Sequence, residues 1–144
     1  LGYSMRRIDP NVTVHPSICP LDCADTCSLA IDVKSGVIDA VRGSSANPFT
    51  GGKICSKVAK GLPLQVHGPD RLRTPMRRCG VKGDGAYKAI FGSDITMTDS
   101  MAYADIILPA ATHLEYADLY KSYGHHYLQR SEQVIPPVGE VRRR

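Results

Sequence analysis

Apolar and polar residues alternate most regularly in the stretch SLAIDVKSGVIDAVRG. Leu29, Ile31 and Val33 occupy every second position, a break containing Gly36 follows, and apolar residues resume through Val41. A period of two residues places alternate side chains on one face of a β-strand. Two such runs joined by a short glycine-containing segment predict a β-hairpin.

The segments after the hairpin predict shorter and less regular elements. SSANPFTGGK is rich in Ser, Asn, Pro and Gly, which predicts a loop. ICSKVAKGL predicts one or two helical turns that end at Gly61, because Pro63 disfavours continuation of the helix. The stretch RLRTPMRRCGVKGDGAYKAI contains Pro75 and three glycines, and we expect it to be extended and irregular.

From Ile90 onward the pattern of the chain changes. Thr98 or Asp99 is a suitable N-cap for a short helix that reaches about Ala104. The apolar run DIILP follows directly and predicts a short buried strand.

Composition limits the classes of protein that fit the chain. Its 144 residues suit one ordinary domain, and 13 glycines and 10 prolines indicate many turns. No apolar run approaches the roughly 20 residues that span a bilayer, so we expect no membrane segment. No export signal is visible, which predicts a cytoplasmic protein. Four of the five cysteines precede residue 56, which favours a metal or cluster site in a reducing compartment over a disulfide framework.

Charge is segregated along the chain. Residues 9–50 carry five Asp against one Lys and one Arg, whereas residues 52–88 carry nine Lys and Arg against two Asp. Residues 91–120 carry five acidic residues and no Lys or Arg. A basic block of this density suits a polyanion, although a solvated surface explains it more simply. Nucleic acid is disfavoured, because Tyr87 is the block's one aromatic side chain for base stacking.

The segment CPLDCADTC carries the main candidate chemistry. Its three cysteines and one distant cysteine give the spacing C-x3-C-x3-C-x27-C, formed by Cys19, Cys23, Cys27 and Cys55. Four thiolates hold iron–sulfur clusters, and they also form closed tetrahedral zinc sites. Zinc sites favour two separate pairs of cysteines, so the three-plus-one arrangement favours a cluster and leaves zinc as the alternative.

Two further side chains near this chemistry have a simpler interpretation. His15 stands four residues before Cys19 and is a minor candidate ligand, although a histidine beside a metal loop more often packs or forms a hydrogen bond at its edge. Cys79 lies in the basic, irregular segment, and we predict that it is an unligated thiol.

CPLDCADTCSL, followed by VIDAVRGSSANPFTGGKICSK and HGPDRLRTPMRR, resembles the amino-terminal iron–sulfur module of molybdopterin oxidoreductases of the dimethyl-sulfoxide-reductase type. The resemblance implies that Cys19, Cys23, Cys27 and Cys55 ligate one [4Fe–4S] cluster. It also implies molybdenum or tungsten on two molybdopterin guanine dinucleotides. Lys57, two positions after the last cysteine, would relay electrons or ease their transfer between cluster and pterin, because a nearby ammonium stabilises a reduced cluster.

DITMTDSMAYADIILPAATHLE also resembles this family, in a part of the α/β core that holds a guanine dinucleotide and normally lies far downstream. Thr98, Asp99 and Ser100 are the residues here that would contact the dinucleotide, although an ordinary helix cap explains them equally well. His113, His125 and His126 lack the spacing of a metal site, so we expect no second metal.

The resemblance implies a specific organisation of the chain. Two family segments are joined near residues 90–93, and the intervening chain, which would supply the molybdenum ligand and most of the pterin pocket, is absent. The predicted fold is α+β: a small antiparallel β-rich iron–sulfur module at 12–68, an extended basic connector at 69–90 and a truncated α/β fragment at 91–144.

Three functional hypotheses follow. The first is a molybdopterin-dependent oxidoreductase, or a truncated member of that family, with a small-molecule substrate and an electron-transfer partner protein. In this case we expect cluster binding to be retained more readily than turnover. The second is a small non-enzymatic [4Fe–4S] or zinc-binding module, and the third is an inactive remnant.

Overall fold

The computed structural model describes residues 9–21, 23, 27–79, 89–121 and 128–143. Within them the chain forms eight short strands, one α-helix and one 3₁₀ turn. In chain order these are β1 (Val12–Ile18), β2 (Ser28–Lys34), β3 (Val37–Gly43), α1 (Ser56–His67), β4 (Met76–Arg77), β5 (Ala89–Asp94), the 3₁₀ turn (Met101–Tyr103), β6 (Ala104–Pro109), β7 (Asp118–Tyr120) and β8 (Gln129–Ser131). This content confirms the predicted α+β class.

The first sheet has the order β1-β2-β3 and is antiparallel throughout. The predicted hairpin is β2 and β3, and its turn places Ser35 and Gly36 at φ 51° and 78°. Two consecutive positive φ values are typical of the tight turns that match the twist of paired strands. Leu29, Ile31 and Val33 are buried on one face, as the alternation predicted.

Helix α1 covers that face of the hairpin and is longer than predicted. It continues to His67 with Pro63 inside it, so the expected end at Gly61 was wrong. Proline removes one backbone hydrogen bond. Burial offsets this loss, because Val58, Leu62 and Val66 lie on one helix face and pack into the core of the first sheet.

The far end of α1 is also anchored to the hairpin. The backbone N–H of Ile38 donates to Nε2 of His67 at 3.1 Å. This bond requires a neutral imidazole nitrogen, and burial lowers the pKa of His67, with Arg73 contributing in the same direction.

The second sheet has the order β4-β6-β5 and forms around the predicted apolar strand. β6 pairs in parallel with β5 and antiparallel with β4, so part of the predicted irregular connector is a strand. Ala104 and Ile107 are buried, but Ile106 and Leu108 are 44% and 43% exposed. The expectation of a fully buried strand was therefore wrong, because one face of this sheet is open. β5 contains the residues at which the sequence predicts a join between two segments.

The later part of the chain also completes the core beneath the first sheet. Leu114, Val134 and Ile135 are buried in one cluster with the inward side chains of β2 and β3. The backbone N–H groups of Val134 and Ile135 both donate to the carbonyl of Leu114, at 2.9 and 3.1 Å. The buried hydroxyls of Ser17 and Ser131 lie 3.1 Å apart and link β1 to β8.

The helix expected near residue 98 is a single 3₁₀ turn of three residues. The predicted α-helix was therefore wrong, and the N-cap of the turn is Ser100, although the Thr98 hydroxyl still accepts the N–H of Met101. No helix in the described parts of the chain combines the length and apolarity needed to cross a membrane.

Candidate metal centre

Pairing of β1 with β2 positions Cys19 and Cys27. Cys19 directly follows the last residue of β1, and Cys27 directly precedes the first residue of β2. The N–H of Cys19 donates to the carbonyl of Cys27 at 2.9 Å, one step beyond the register pair Ile18 and Ser28. Both cysteines are buried at 7% exposure. The strand ladder therefore fixes two thiols side by side at one end of the sheet.

The distant cysteine reaches the same end through the loop after β3. Cys55 is the N-cap residue of α1, and it lines a cavity of about 240 Å³ together with Cys27. The loop is held close to the sheet, because a Cβ added at Gly43 would lie 2.3 Å from the carbonyl oxygen of Gly52. A helix N-terminus favours negative charge, which suits a thiolate at Cys55.

The middle cysteine lies within the electrostatic reach of this group. Cys23 is exposed at a bend between β1 and β2, and its neighbours 22 and 24–26 lie outside the described residues. Burial raises the pKa of the Cys19 thiol, and the charges of Cys23 and Cys55 raise it further. Cys27 is therefore linked to Cys19 by a backbone hydrogen bond, and Cys23 and Cys55 act on Cys19 electrostatically.

The chemistry of this donor set fits a metal–sulfur centre. All five cysteines of the chain are free thiols, so no disulfide competes for the four candidate ligands. Cys19 and Cys27 are buried and Cys23 and Cys55 are exposed, and Cys27 and Cys55 line the cavity. Within the described ranges, no three His, Cys, Asp or Glu side chains are close enough to hold a single metal ion. Four thiols are the ligand set of iron–sulfur clusters, and also of closed zinc sites.

Lysines occur at the cysteine cavity and on the helix that follows Cys55. Lys53 lines the cavity, and Lys57 lies in the first turn of α1, two residues after Cys55. Lys60 follows on the same helix, and all three lysines are exposed. Lys57 is the lysine that the sequence singles out, and the helix start places it beside the last cysteine.

The remaining candidate residues from the sequence do not line the cysteine cavity. His15 is on β1, where its Nε2 atom is 2.9 Å from the hydroxyl of Thr13, a contact within its own strand. Cys79 follows β4 and lines a different cavity from that of Cys27 and Cys55. The predicted dinucleotide contacts, Thr98, Asp99 and Ser100, are exposed between β5 and the 3₁₀ turn, where the Met101 N–H donates to the Thr98 hydroxyl at 3.4 Å.

An ion pair that the sequence did not suggest joins the two parts of the chain. Arg71 donates to Oε2 of Glu115 at 2.7 Å, and both side chains are fully buried. Thr112 also donates to Oε2 through its N–H and hydroxyl, and the N–H of Val138 donates to Oε1. Sequence placed Arg71 in a solvated basic block, and no local signal marks a partner 44 residues away.

The candidate histidines divide into two groups. His113 is buried at 8% exposure beside Tyr120, and burial lowers the pKa of His113 to about 4. It is therefore a neutral core histidine rather than a surface one. His125 and His126 lie outside the described residues.

Comparison with known proteins agrees with the chemistry of the cysteines. Residues 12–65 match the model of the molybdopterin oxidoreductase Fe4S4 domain, and residues 78–144 match the model named molybdopterin oxidoreductase. The probable oxidoreductase YoaE of Bacillus subtilis (strain 168) is 34% identical over 94 residues, which are 65% of this chain and 14% of that protein.

Two further relatives carry more specific names. The thiosulfate reductase molybdopterin-containing subunit PhsA of Salmonella typhimurium is 31% identical over 83 residues, 58% of this chain and 11% of that protein. The dimethyl sulfoxide reductase DmsA of Haemophilus influenzae is 30% identical over 79 residues, 51% of this chain and 10% of that protein. The chain thus spans 10–14% of the length of these relatives.

Proposed function

This chain belongs to the molybdopterin oxidoreductase family of the dimethyl-sulfoxide-reductase type, and we propose that it holds one [4Fe–4S] cluster through Cys19, Cys23, Cys27 and Cys55. The observation that carries this assignment is the hydrogen bond between Cys19 and Cys27 beside the cavity that Cys27 shares with Cys55. These four free thiols would supply the ligands that such a cluster requires.

The surrounding residues suit an anionic centre that exchanges single electrons. When bound, an iron–sulfur cluster supplies one-electron transfer. The N-terminus of α1 presents backbone N–H groups beside Cys55, and Lys57 adds a positive charge in the same turn. Both features favour negative charge at the thiolates. We assign Lys57 the role of easing electron transfer at this site.

The activity of the family defines the wider proposal. The family implies a molybdenum–molybdopterin cofactor besides the cluster. In the complete function, electrons pass between a molybdenum or tungsten bis(molybdopterin guanine dinucleotide) site and the [4Fe–4S] cluster. Such a function requires a small-molecule substrate and an electron-transfer partner protein, and the free cysteines suit a reducing compartment such as the cytoplasm. Thr98, Asp99 and Ser100, exposed beside β5, are the proposed dinucleotide contacts.

The same proposal divides the chain into an iron–sulfur module at 12–68, a basic connector at 69–90 and a dinucleotide-domain fragment at 91–144. The separate first and second sheets support this division, and the Fe4S4 domain model ends at residue 65, close to the proposed end of the module. The second family model begins at residue 78, inside the proposed connector. The connector contributes β4 to the second sheet and Arg71 to the buried ion pair.

A second candidate function is a small [4Fe–4S] or zinc-binding module without enzymatic turnover. Support comes from the position of all four cysteines within residues 12–65, the range that matches the Fe4S4 domain model. This module would use the same four cysteines, so the two candidates differ in their metal content rather than in their ligands.

Metal analysis of the anaerobically purified chain separates these functions. We expect about four irons and matching acid-labile sulfide per chain, with the optical and paramagnetic signals of a [4Fe–4S] centre. Molybdenum together with a pterin chromophore supports the oxidoreductase, whereas iron without molybdenum supports the module. One zinc and no iron per chain contradicts the cluster assignment.

A further inference from the structure

One hydroxyl in the loop between β3 and α1 is buried beside the cysteine cavity. Thr50 lines this cavity of about 240 Å³ together with Cys27 and Cys55. The hydroxyl oxygen of Thr50 is shielded from solvent and has no hydrogen-bond partner among the described residues. Burying a hydroxyl without a partner costs free energy, so a native chain that does so commonly satisfies the group when a ligand or cofactor is bound.

Hydrogen bonds fix the backbone on both sides of this hydroxyl. The N–H of Thr50 donates to Oδ1 of Asn47 at 3.3 Å, and the Thr50 carbonyl accepts the N–H of Lys53 at 3.0 Å. Nδ2 of Asn47 donates to the hydroxyl of Ser28 at 3.1 Å, and Ser28 directly follows Cys27. The loop is therefore tied to the strand residue next to a candidate ligand, which holds Thr50 at the cavity.

The side chains around the cavity offer acceptors of one kind. The described lining residues are Cys27, Phe49, Thr50, Lys53, Ile54 and Cys55. Apart from the Thr50 hydroxyl itself, the two cysteine sulfurs are the acceptors among these side chains, since the Lys53 ammonium is a donor. A thiol sulfur accepts weakly, whereas a charged acceptor forms a stronger hydrogen bond. The buried hydroxyl therefore fits an anionic sulfur centre at this cavity.

We propose that the Thr50 hydroxyl donates a hydrogen bond to a sulfur of the iron–sulfur centre and thereby raises the reduction potential of that centre. The inference rests on the proposed [4Fe–4S] function. Reduction adds one negative charge to such a centre, so a hydrogen-bond donor at its sulfur stabilises the reduced state. Thr50 is thus a residue that adjusts the potential rather than a ligand. Its loss should change the potential and leave the iron in place.

Redox titration of anaerobically purified chains tests this role. Thr50→Val keeps the shape of the side chain and removes the hydroxyl, whereas Thr50→Ser keeps the hydroxyl. At the midpoint potential of the wild-type cluster, we expect the ratio of reduced to oxidised cluster to fall by about threefold in Thr50→Val and to stay near the wild-type ratio in Thr50→Ser. Thr13→Val is the matched control and should keep the wild-type ratio, because Thr13 is near the start of β1, at the other end of that strand from Cys19.

Pulsed paramagnetic resonance of the reduced cluster in D₂O provides a second measurement. A deuteron that is hydrogen-bonded to a cluster sulfur is coupled to the unpaired electron. We expect one such exchangeable deuteron in the wild type and in Thr50→Ser that is absent from Thr50→Val. If Thr50→Val fails to hold the cluster, Thr50→Ala, which also lacks the hydroxyl, replaces it in both measurements. Loss of the cluster from both variants would make Thr50 a structural residue and overturn the proposal.

Two further results contradict the role of Thr50. The first is a Thr50→Val chain with wild-type iron content, potential and deuteron coupling. The second is an equal shift in potential for Thr50→Ser and Thr50→Val, which would attribute the effect to packing rather than to the hydroxyl. A wild-type chain without iron contradicts the proposed cluster itself, whereas about four irons with an unchanged potential in Thr50→Val contradicts the hydrogen bond alone.

Discussion

The guanidinium of Arg71 and the carboxylate of Glu115 form an ion pair at 2.7 Å in which both side chains are fully buried. Glu115 receives three further hydrogen bonds from Thr112 and Val138, which satisfy both of its oxygens. Arg71 follows α1, whereas Glu115 belongs to the segment that packs beneath the first sheet. The pair therefore fastens the later part of the chain to the module that carries the cysteines.

Replacing Glu115 with Ala leaves the Arg71 charge buried without its partner. Breaking a buried pair in this way typically costs about 3–5 kcal/mol. We expect a loss of this size in the free energy of unfolding, measured by urea denaturation.

The exposed pair between Arg130 and Glu132 supplies the matched control, since its side chains are 70% and 56% accessible. Glu132→Ala should cost about 0–1 kcal/mol, because exposed pairs contribute little. Equal losses for Glu115→Ala and Glu132→Ala would show that burial of the Arg71 pair does not matter.

Burial of His113 predicts a pH dependence of stability. Its pKa is lowered to about 4, with desolvation as the main cause and Glu115 opposing the shift. Above pH ~6.5 the imidazole is neutral in both folded and unfolded chains. Between pH ~6.5 and ~4 the unfolded state binds a proton that the folded state does not, so the free energy of unfolding falls as pH falls, by at most about 3 kcal/mol.

Urea unfolding of the wild-type chain and of His113→Gln across pH 4 to 8 measures how much of the pH dependence comes from His113. His113→Gln should have a shallower loss of stability on acidification than the wild-type chain, because the titrating group is gone. His15→Gln, a change on β1, should keep the wild-type slope because His113 remains. Parallel curves for the wild type and His113→Gln would remove His113 as the cause.

Gly43 and Gly61 provide opposite predictions for the same substitution. A Cβ at Gly43 would lie 2.3 Å from a backbone oxygen of Gly52, so Gly43→Ala must displace the loop that leads to Cys55. We expect a loss of roughly 1–3 kcal/mol and less iron bound per chain. Gly61 lies inside α1 with open space around it, so Gly61→Ala should stabilise the chain by about 1 kcal/mol.

Thermal unfolding and iron analysis of the two glycine variants check both directions. A Gly43→Ala chain with wild-type stability and iron content would mean that the close approach of Gly43 and Gly52 does not position Cys55.

Lys57 should influence the reduction potential of the cluster more than Lys60 does. Both lysines are exposed on α1, but Lys57 is nearer to Cys55 in sequence and lies in the first turn. Loss of a nearby positive charge destabilises the reduced state, so we expect Lys57→Gln to lower the potential by about 20–40 mV. Redox titration followed by paramagnetic resonance measures the shift. A larger shift in Lys60→Gln would contradict the role assigned to Lys57.

Local patterns predicted the hairpin and the strand β6, because their signals depend on neighbouring residues. Leu29, Ile31 and Val33 alternate, and Gly36 permits the turn between them and the next strand. The end of α1 was not predictable from Pro63 alone, since tertiary burial of Val66 outweighs the lost backbone bond.

Relations between distant residues were not visible in the sequence. The open face of β6 depends on which elements cover the second sheet, and the apolar residues Ile106 and Leu108 gave no sign of it. Arg71 and Glu115 are 44 residues apart, so neither local spacing nor charge blocks indicated their pairing. The four cysteines were identifiable because three lie in nine residues, but the bond from Cys19 to Cys27 requires the register of β1 and β2.

The assignment of Cys55 as the fourth cluster ligand is tested most directly by iron content. Wild-type, Cys55→Ser and Cys79→Ser chains are purified anaerobically and assayed for iron, acid-labile sulfide and the optical and paramagnetic signals of the cluster. We predict about four irons per chain in the wild type and in Cys79→Ser, and loss of the [4Fe–4S] centre in Cys55→Ser. A Cys55→Ser chain with the wild-type cluster, or a Cys79→Ser chain without it, would contradict the assignment.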